Sequence, residues 1–217
     1  MPMPTPYDRA PRIDPADVGR PGHESGTSPV DVRTLVCGGT YELEIGPGRG
    51  GFLFERAAVA PEAGIVGLEI RRKWASIVDG RLVRAGLSSR VRVFAEDAKL
   101  ALPRLVPEGV FDRAFLHFPD PWWKKRHAKR LVVGDVLLAE LARLLAPGGE
   151  LFVQTDVEER AALYERQILS TASFVAAGDV LGSARMAENP YGARSPRERR
   201  AIADGLPVHR LRFRRAA

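Results

Sequence analysis

Cysteine is almost missing from this chain: Cys37 stands alone among 217 residues. A single thiol cannot close an internal disulfide and makes a poor metal site, which excludes a disulfide-framed scaffold and fits a reducing cytoplasm. Residues 1–30 lack an apolar signal core, and no later stretch approaches the roughly 20 apolar residues that span a bilayer. The sequence therefore reads as that of a soluble protein. It contains no internal repeat.

What is present is charge of one sign in excess. The formal charge of +6 and a pI near 9.9 favour a polyanionic partner, because Lys and Arg gain free energy by displacing counterions from phosphate. Nucleic acid leads and an anionic membrane surface follows. With 45% hydrophobic residues, the chain is long enough for one well-buried domain and short for two. Residues 1–30 are crowded with Pro and Gly and hold few large apolar side chains, so they read as a flexible arm, with Arg9, Arg12 and Arg20 as its cations.

From Val32 onward, short apolar runs alternate with longer amphipathic ones, the pattern of strand-helix-strand units around a parallel sheet. The spacing predicts strands at 41–45, 65–70, 91–95, 111–118 and 151–155. The clearest helix runs from Leu131 to Ala146, where Val133, Val136, Leu137, Leu141, Leu144 and Leu145 recur at helical spacing before Pro147-Gly148-Gly149 ends it. Another helix starts near Glu158, with Asp156 or a neighbour as its cap. Val208 to Arg214 reads as a last strand, antiparallel in the sheet.

The first strand leads into Glu44-Ile45-Gly46-Pro47-Gly48-Arg49-Gly50-Gly51, where glycine permits a tight turn and close backbone approach to a ligand. Gly46, Gly48 and Gly51 satisfy the dinucleotide fingerprint, and Glu69 ends the second strand about 20 residues on, where an acid can grip ribose hydroxyls. NAD is one reading of this pattern and a plain turn is another. Two acids favour S-adenosyl-L-methionine. Glu44 precedes the glycines, where a carboxylate suits a cationic methionyl end and repels a pyrophosphate. Asp97 follows the third strand, where it can accept from an adenine amino group. Any one of these acids could be a solvated loop residue; three at three strand ends are harder to dismiss, because open parallel sheets bind ligands there.

The fourth strand ends in Phe118-Pro119-Asp120-Pro121-Trp122-Trp123-Lys124-Lys125-Arg126-His127-Ala128-Lys129-Arg130. Two prolines fix φ on either side of Asp120 and hold its carboxylate in a stiff loop. The tryptophans offer a stacking surface for a base, with core packing as their alternative, and the cations a grip on phosphates.

At these residues the sequence resembles the bacterial tRNA (guanine-N7)-methyltransferases, which carry Phe-Pro-Asp-Pro-Trp followed by Lys-Lys-Arg-His after the fourth strand. The likeness extends from about Tyr41 to Tyr164, taking in Glu44-Ile45-Gly46, Glu69 and Thr155-Asp156, and more loosely to the C-terminus. It implies a Rossmann-like class I methyltransferase: an α/β fold with a mostly parallel seven-stranded sheet, an antiparallel last strand and helices on both faces, filling residues 31–217 and ending in an Arg-rich substrate segment. It implies S-adenosyl-L-methionine as cofactor, held by Glu44, Gly46, Gly48, Gly50, Glu69 and Asp97, and Asp120 as the catalytic acid that also lies near the cofactor. Lys124 and Asp156 match positions used for the RNA. The family's Thr-x-aromatic-Glu motif, which contacts substrate, has its counterpart in Ser195-Pro196-Arg197-Glu198, with Arg197 in place of the aromatic residue. Trp123 stands where relatives commonly have proline. The expected partner is tRNA, methylated in its variable loop, with no membrane and no obligate protein partner, by a monomer or homodimer.

N7 of guanine has an in-plane lone pair and no proton, so methylation there requires no general base. Asp120 then orients the base through its N1–H and N2–H edge or stabilises the charge that develops on the purine. His117 reads as a core or sheet residue, His127 as part of the cationic patch, and Cys37 as buried or inert. Arg210, Arg212, Arg214 and Arg215 read either as RNA contacts or as solvated charges on an edge strand. A methyltransferase acting on an exocyclic amine and a non-catalytic RNA-binding module are the competing functions.

Overall fold

The computed structural model describes residues 7, 9–18, 26–119 and 133–216. Asp120, Trp122, Trp123, Lys124 and His127 lie outside the described residues, as does the start of the helix expected from Leu131. In chain order the elements are β1 (Val30–Asp31), α1 (Val32–Leu35), β2 (Thr40–Ile45), α2 (Gly51–Val59), β3 (Ala63–Leu68), α3 (Arg72–Arg84), β4 (Val91–Phe94), α4 (Ala98–Ala101), β5 (Leu105–Val106), β6 (Phe111–His117), α5 (Asp135–Leu144), β7 (Leu145–Thr155), α6 (Glu158–Ser170), β8 (Phe174–Ala176), β9 (Arg185–Met186), α7 (Pro196–Ala203) and β10 (His209–Arg215). None of the described helices is long and apolar enough to cross a membrane.

Five strands run parallel in the order β4-β3-β2-β6-β7, and β10 pairs antiparallel with β7. Among the described residues the sheet holds eight strands rather than seven, because short β9 pairs with β10 beside β8. Every residue of β3 is buried, as expected of a strand covered on both faces. The chain leaves β2 toward β3 on one side and returns to β6 on the other. That reversal opens a crevice beyond the carboxyl ends of these strands.

Alternation along the strands separates two cores. Leu43, Ala114, Leu116, Leu151 and Val153 pack with α5 and α6 on one face. On the other, Leu53, Ala57, Ala75, Val78 and Leu82 from α2 and α3 cover Ile65, Val91 and Val93, and beside them Phe52, Phe115, Phe152 and Tyr191 form an aromatic cluster. This second face also carries charge: buried Glu42 is held by Arg56 at 2.6 Å and by Arg113 at 3.0 Å. A buried carboxylate persists only with such partners. Burial holds the Tyr191 phenol well above its ordinary pKa, and its hydroxyl donates to Glu150.

Several expectations change. Part of the N-terminal arm is packed: Ile13 is buried in the core, Pro11 accepts a backbone hydrogen bond from Ala95, and Arg12 reaches buried Glu96 at 2.7 Å. Composition gave no hint of this, because the segment is held by the long-range Arg12–Glu96 pair together with the burial of Ile13, rather than by an extended apolar surface of its own. That hydrogen bond to Glu96 holds the Arg12 guanidinium above its ordinary pKa, against the opposing effect of burial. β10 is interior to the sheet, so its arginines are not edge charges: Arg210 is buried against Glu198, and Arg212 donates to the Ala177 carbonyl. Cys37 is exposed rather than buried. Helix α6 has Val157 rather than Asp156 at its N-cap, and valine offers no side-chain acceptor, so the helix begins without a side-chain cap while Asp156 pairs with Arg197.

Candidate active site

The glycine loop joins β2 to α2. Gly46, Gly48 and Gly50 all take positive φ, the left-handed region that L side chains rarely adopt. Their surroundings differ. A Cβ on Gly46 would meet nothing within 4 Å, which leaves room for a ligand against the backbone, whereas a Cβ on Gly50 would collide with Val78 of α3. Gly50 is therefore required by helix packing as well as by the turn. Next to it, a Cβ on Gly51 would lie 2.5 Å from Pro196, so the first turn of α7 is seated directly on the start of α2.

Three carboxylates stand at the ends of three adjacent parallel strands. Glu44, one residue before the end of β2, is 2% exposed. Its Oε1 lies 2.9 Å from Nδ1 of His117, and its Oε2 has no partner. Glu69 follows β3: its Oε2 accepts from the Gly48 amide at 2.9 Å, and its Oε1 from the Arg71 amide and guanidinium. Because a carboxylate oxygen has two lone pairs, Oε2 retains one for a ribose hydroxyl. Asp97 follows β4 and caps α4 by accepting from the Lys99 amide at 2.9 Å. An unpartnered buried oxygen, an open glycine and acids at successive strand ends suit a cationic, hydroxyl-bearing adenosine compound such as S-adenosyl-L-methionine.

Residues not singled out from sequence complete this edge. Glu96, directly before Asp97, anchors the packed N-terminal segment through Arg12 and the Ile13 amide. Gln154 of β7 is fully buried with both side-chain atoms unpartnered. His117 is the sheet residue expected, its side chain 4% exposed and its ring 4.3 Å from that of Phe52, and it also holds Glu44. The acid doublet Glu96-Asp97 was the only visible signal for Glu96. Gln154 and the contact of His117 with Glu44 left none, since they depend on strand register.

On the opposite edge, β6 gives way to Phe118, whose φ of 48° is costly for a bulky residue, more so before Pro119. Phe118 is fixed by a 2.8 Å bond from its amide to the Gln154 carbonyl. Asp156 follows β7 and pairs with Arg197 at 2.5 Å. Ser195 and Glu198, expected at the RNA, carry structural duties in this geometry. Ser195 caps α7 by accepting from the Glu198 amide at 3.1 Å, and fully buried Glu198 is bound by Arg210 at 3.0 Å and by Asn189 at 2.9 Å. The structure thus brings Ser195, Glu198 and Asp156 together around α7 and sets Glu44, Glu69 and Asp97 along the neighbouring edge.

Residues 39–211 match the family model described as a putative methyltransferase. The chain is 44% identical, over 83% of its own length and 88% of the relative, to a tRNA (guanine-N(7)-)-methyltransferase of Anaeromyxobacter dehalogenans. It is 36% identical, over 95% of its length and 98% of the relative, to one from Myxococcus xanthus. The chain belongs to the tRNA (guanine-N(7)-)-methyltransferase family. Among solved structures, the 16S rRNA methyltransferase KamB superposes with a TM-score of 0.60, covering 86% of this chain and 91% of that one at 15% identity, a likeness of fold. Family membership removes the oxidoreductase reading of the glycine loop, and the sheet order agrees with the methyltransferase fold expected from sequence.

Proposed function

We infer that this protein transfers the sulfonium methyl group of S-adenosyl-L-methionine to N7 of a guanosine in tRNA. The observation that carries the reading is the alignment of Glu44, Glu69 and Asp97 at adjacent strand ends around an open glycine, in a chain of this family. In this reading Glu44 receives the ligand's ammonium group on its unpartnered oxygen, Glu69 the ribose hydroxyls and Asp97 the adenine amino group, while the Gly46 and Gly48 backbone admits the chain between them. The cofactor supplies an electrophilic methyl group on sulfur. Because N7 already presents a lone pair, the protein's work is to hold the base in line with that methyl. Such orientation is capable of contributing on the order of 7–11 kcal/mol.

Asp120 and Lys124 enter on the strength of the sequence resemblance. Asp120 orients the guanine edge or stabilises the charge gained by the purine, and Lys124 holds phosphate. The target in the variable loop, a cytoplasmic setting and action as a monomer or homodimer belong to the same reading.

Mass spectrometry of nucleosides from tRNA incubated with purified protein and S-adenosyl-L-methionine should yield 7-methylguanosine. Methyl groups on adenine N6 or guanine N2, with none on N7, would refute the reading. Asp120→Ala should abolish transfer and leave tRNA affinity largely intact, and undiminished turnover would remove Asp120 from the chemistry.

A further inference from the structure

Two buried glutamates stand two residues apart on the same face of β2, in opposite surroundings. Glu42 is compensated by two cations, Arg56 at 2.6 Å and Arg113 at 3.0 Å. Glu44 is just as inaccessible, yet among the described residues it pairs with neither Lys nor Arg: Oε1 meets His117 Nδ1 at 2.9 Å and Oε2 meets nothing. The unpaired atoms continue along this row. His117 Nε2 has no partner among the described residues, and Gln154, which faces His117 in register on β7, is fully buried with its whole carboxamide unpartnered. All three side chains lie within one residue of the carboxyl end of their strands. Buried polar atoms are ordinarily paired, so such a row at the edge of the crevice marks the place of a polar group from outside the chain. The cation that Glu44 lacks gives that group its sign.

His117 is held so that it acts on Glu44 alone. Its ring lies 4.3 Å from that of Phe52, 5.8 Å from Phe115 and 6.2 Å from Phe152, a cage of three phenyl rings. Because an ionised carboxylate only accepts, Nδ1 carries the proton of the bond to Glu44. One N–H fixes one carboxylate oxygen, whereas a guanidinium takes both, as Arg56 does with Glu42. We propose that His117 is a positioning residue for the cofactor: it pins Oε1 of Glu44 and thereby holds Oε2 free and oriented for the ammonium group of the methionyl end. The proposal rests on the reading of Glu44 as the acceptor for that ammonium group.

The test compares two probes by calorimetry on the full chain. S-adenosylhomocysteine carries the amino-acid end, and 5′-methylthioadenosine keeps adenine and ribose but lacks it. His117→Leu fills the cage and removes the donor. It should weaken S-adenosylhomocysteine by about five- to thirtyfold, the size of one lost hydrogen bond to a charged group, and leave methylthioadenosine unchanged. His117→Asn, whose amide N–H can stand at the place of Nδ1, should recover most of the loss, and His117→Gln, whose amide falls at the far nitrogen, should not. In a Glu44→Gln background, His117→Leu should have no further effect, because His117 acts through the carboxylate. KM for tRNA should not move. Undiminished S-adenosylhomocysteine affinity in His117→Leu would overturn the proposal. So would an equal loss for both probes, which would make His117 a member of the fold and nothing more. Should the leucine variant not fold, equal affinities of the Asn and Gln variants overturn it in the same way. A wild-type protein with no preference for S-adenosylhomocysteine over methylthioadenosine would instead refute the reading of Glu44 beneath it.

Discussion

Glu69 is bonded to Gly48, 21 residues before it in the chain, and to Arg71, two residues after it. On the other edge of the crevice, Asp156 meets Arg197 across 41 residues and Glu55 meets Arg199 across 144. The proposed cofactor edge is thus built largely from the ends of three adjacent parallel strands and the loop after the first, where turn geometry and strand ends place the candidate acids. The α7 edge exists only once the C-terminal third of the chain has folded back over α2. The contrast teaches that turns and strand ends present most of the groups proposed for a small ligand, with His117 adding one contact across 73 residues, whereas the α7 edge depends on long-range ion pairs throughout.

The strongest break of this comparison is Glu198→Ala. Removing the buried partner of Arg210 leaves an unpaired buried cation, which should destabilise the fold by about 3–5 kcal/mol. At roughly 2–4 °C per kcal/mol for a chain of this size, thermal melts should show a clear drop in Tm. Calorimetry on the remaining folded protein should find cofactor affinity nearly intact, and a matching loss of that affinity would mean that the two edges are not separable. Next in size is Glu44→Gln. It keeps the shape but removes the charge facing the ligand's ammonium, and should weaken cofactor binding by about 10- to 100-fold, the range of a charge-assisted hydrogen bond, with Tm little changed. Equal binding by the two proteins would detach Glu44 from the cofactor. The smallest effect is expected from Arg200→Ala, whose side chain is 85% exposed and whose pair with Asp204 spans one helical turn. Its melt should coincide with that of the wild type within error, as for other exposed helix pairs. A large shift would show that α7 depends on its outer face as well.

The glycine loop and the positions of Glu44, Glu69 and Asp97 near strand ends were legible because each lies at or just beyond the end of a run with strand character, and strand ends of a parallel sheet are where ligands bind. Ser195 was legible as part of a motif, yet its role as a helix cap was not assigned. Its backbone partner is three residues away, but the helix that it caps is fixed to β10 through the Glu198–Arg210 pair, which joins residues 12 apart on two elements. The packed segment around Ile13 was read as flexible because compositional arguments count apolar surface. They do not count a guanidinium that will be buried against Glu96, 84 residues later.

By itself, the sequence determined the alternation of core strands and helices, the antiparallel last strand and the chemistry available at each strand end, because hydrophobic periodicity, glycine's positive φ and proline's fixed φ are properties of residues and near neighbours. Only the tertiary structure decided that β10 is interior rather than an edge, that His117 would hold Glu44, and that Arg197 would pair with Asp156. Those outcomes depend on which charged groups lose water together, and a buried or shared charge chooses its partner by distance in space rather than by position in the chain.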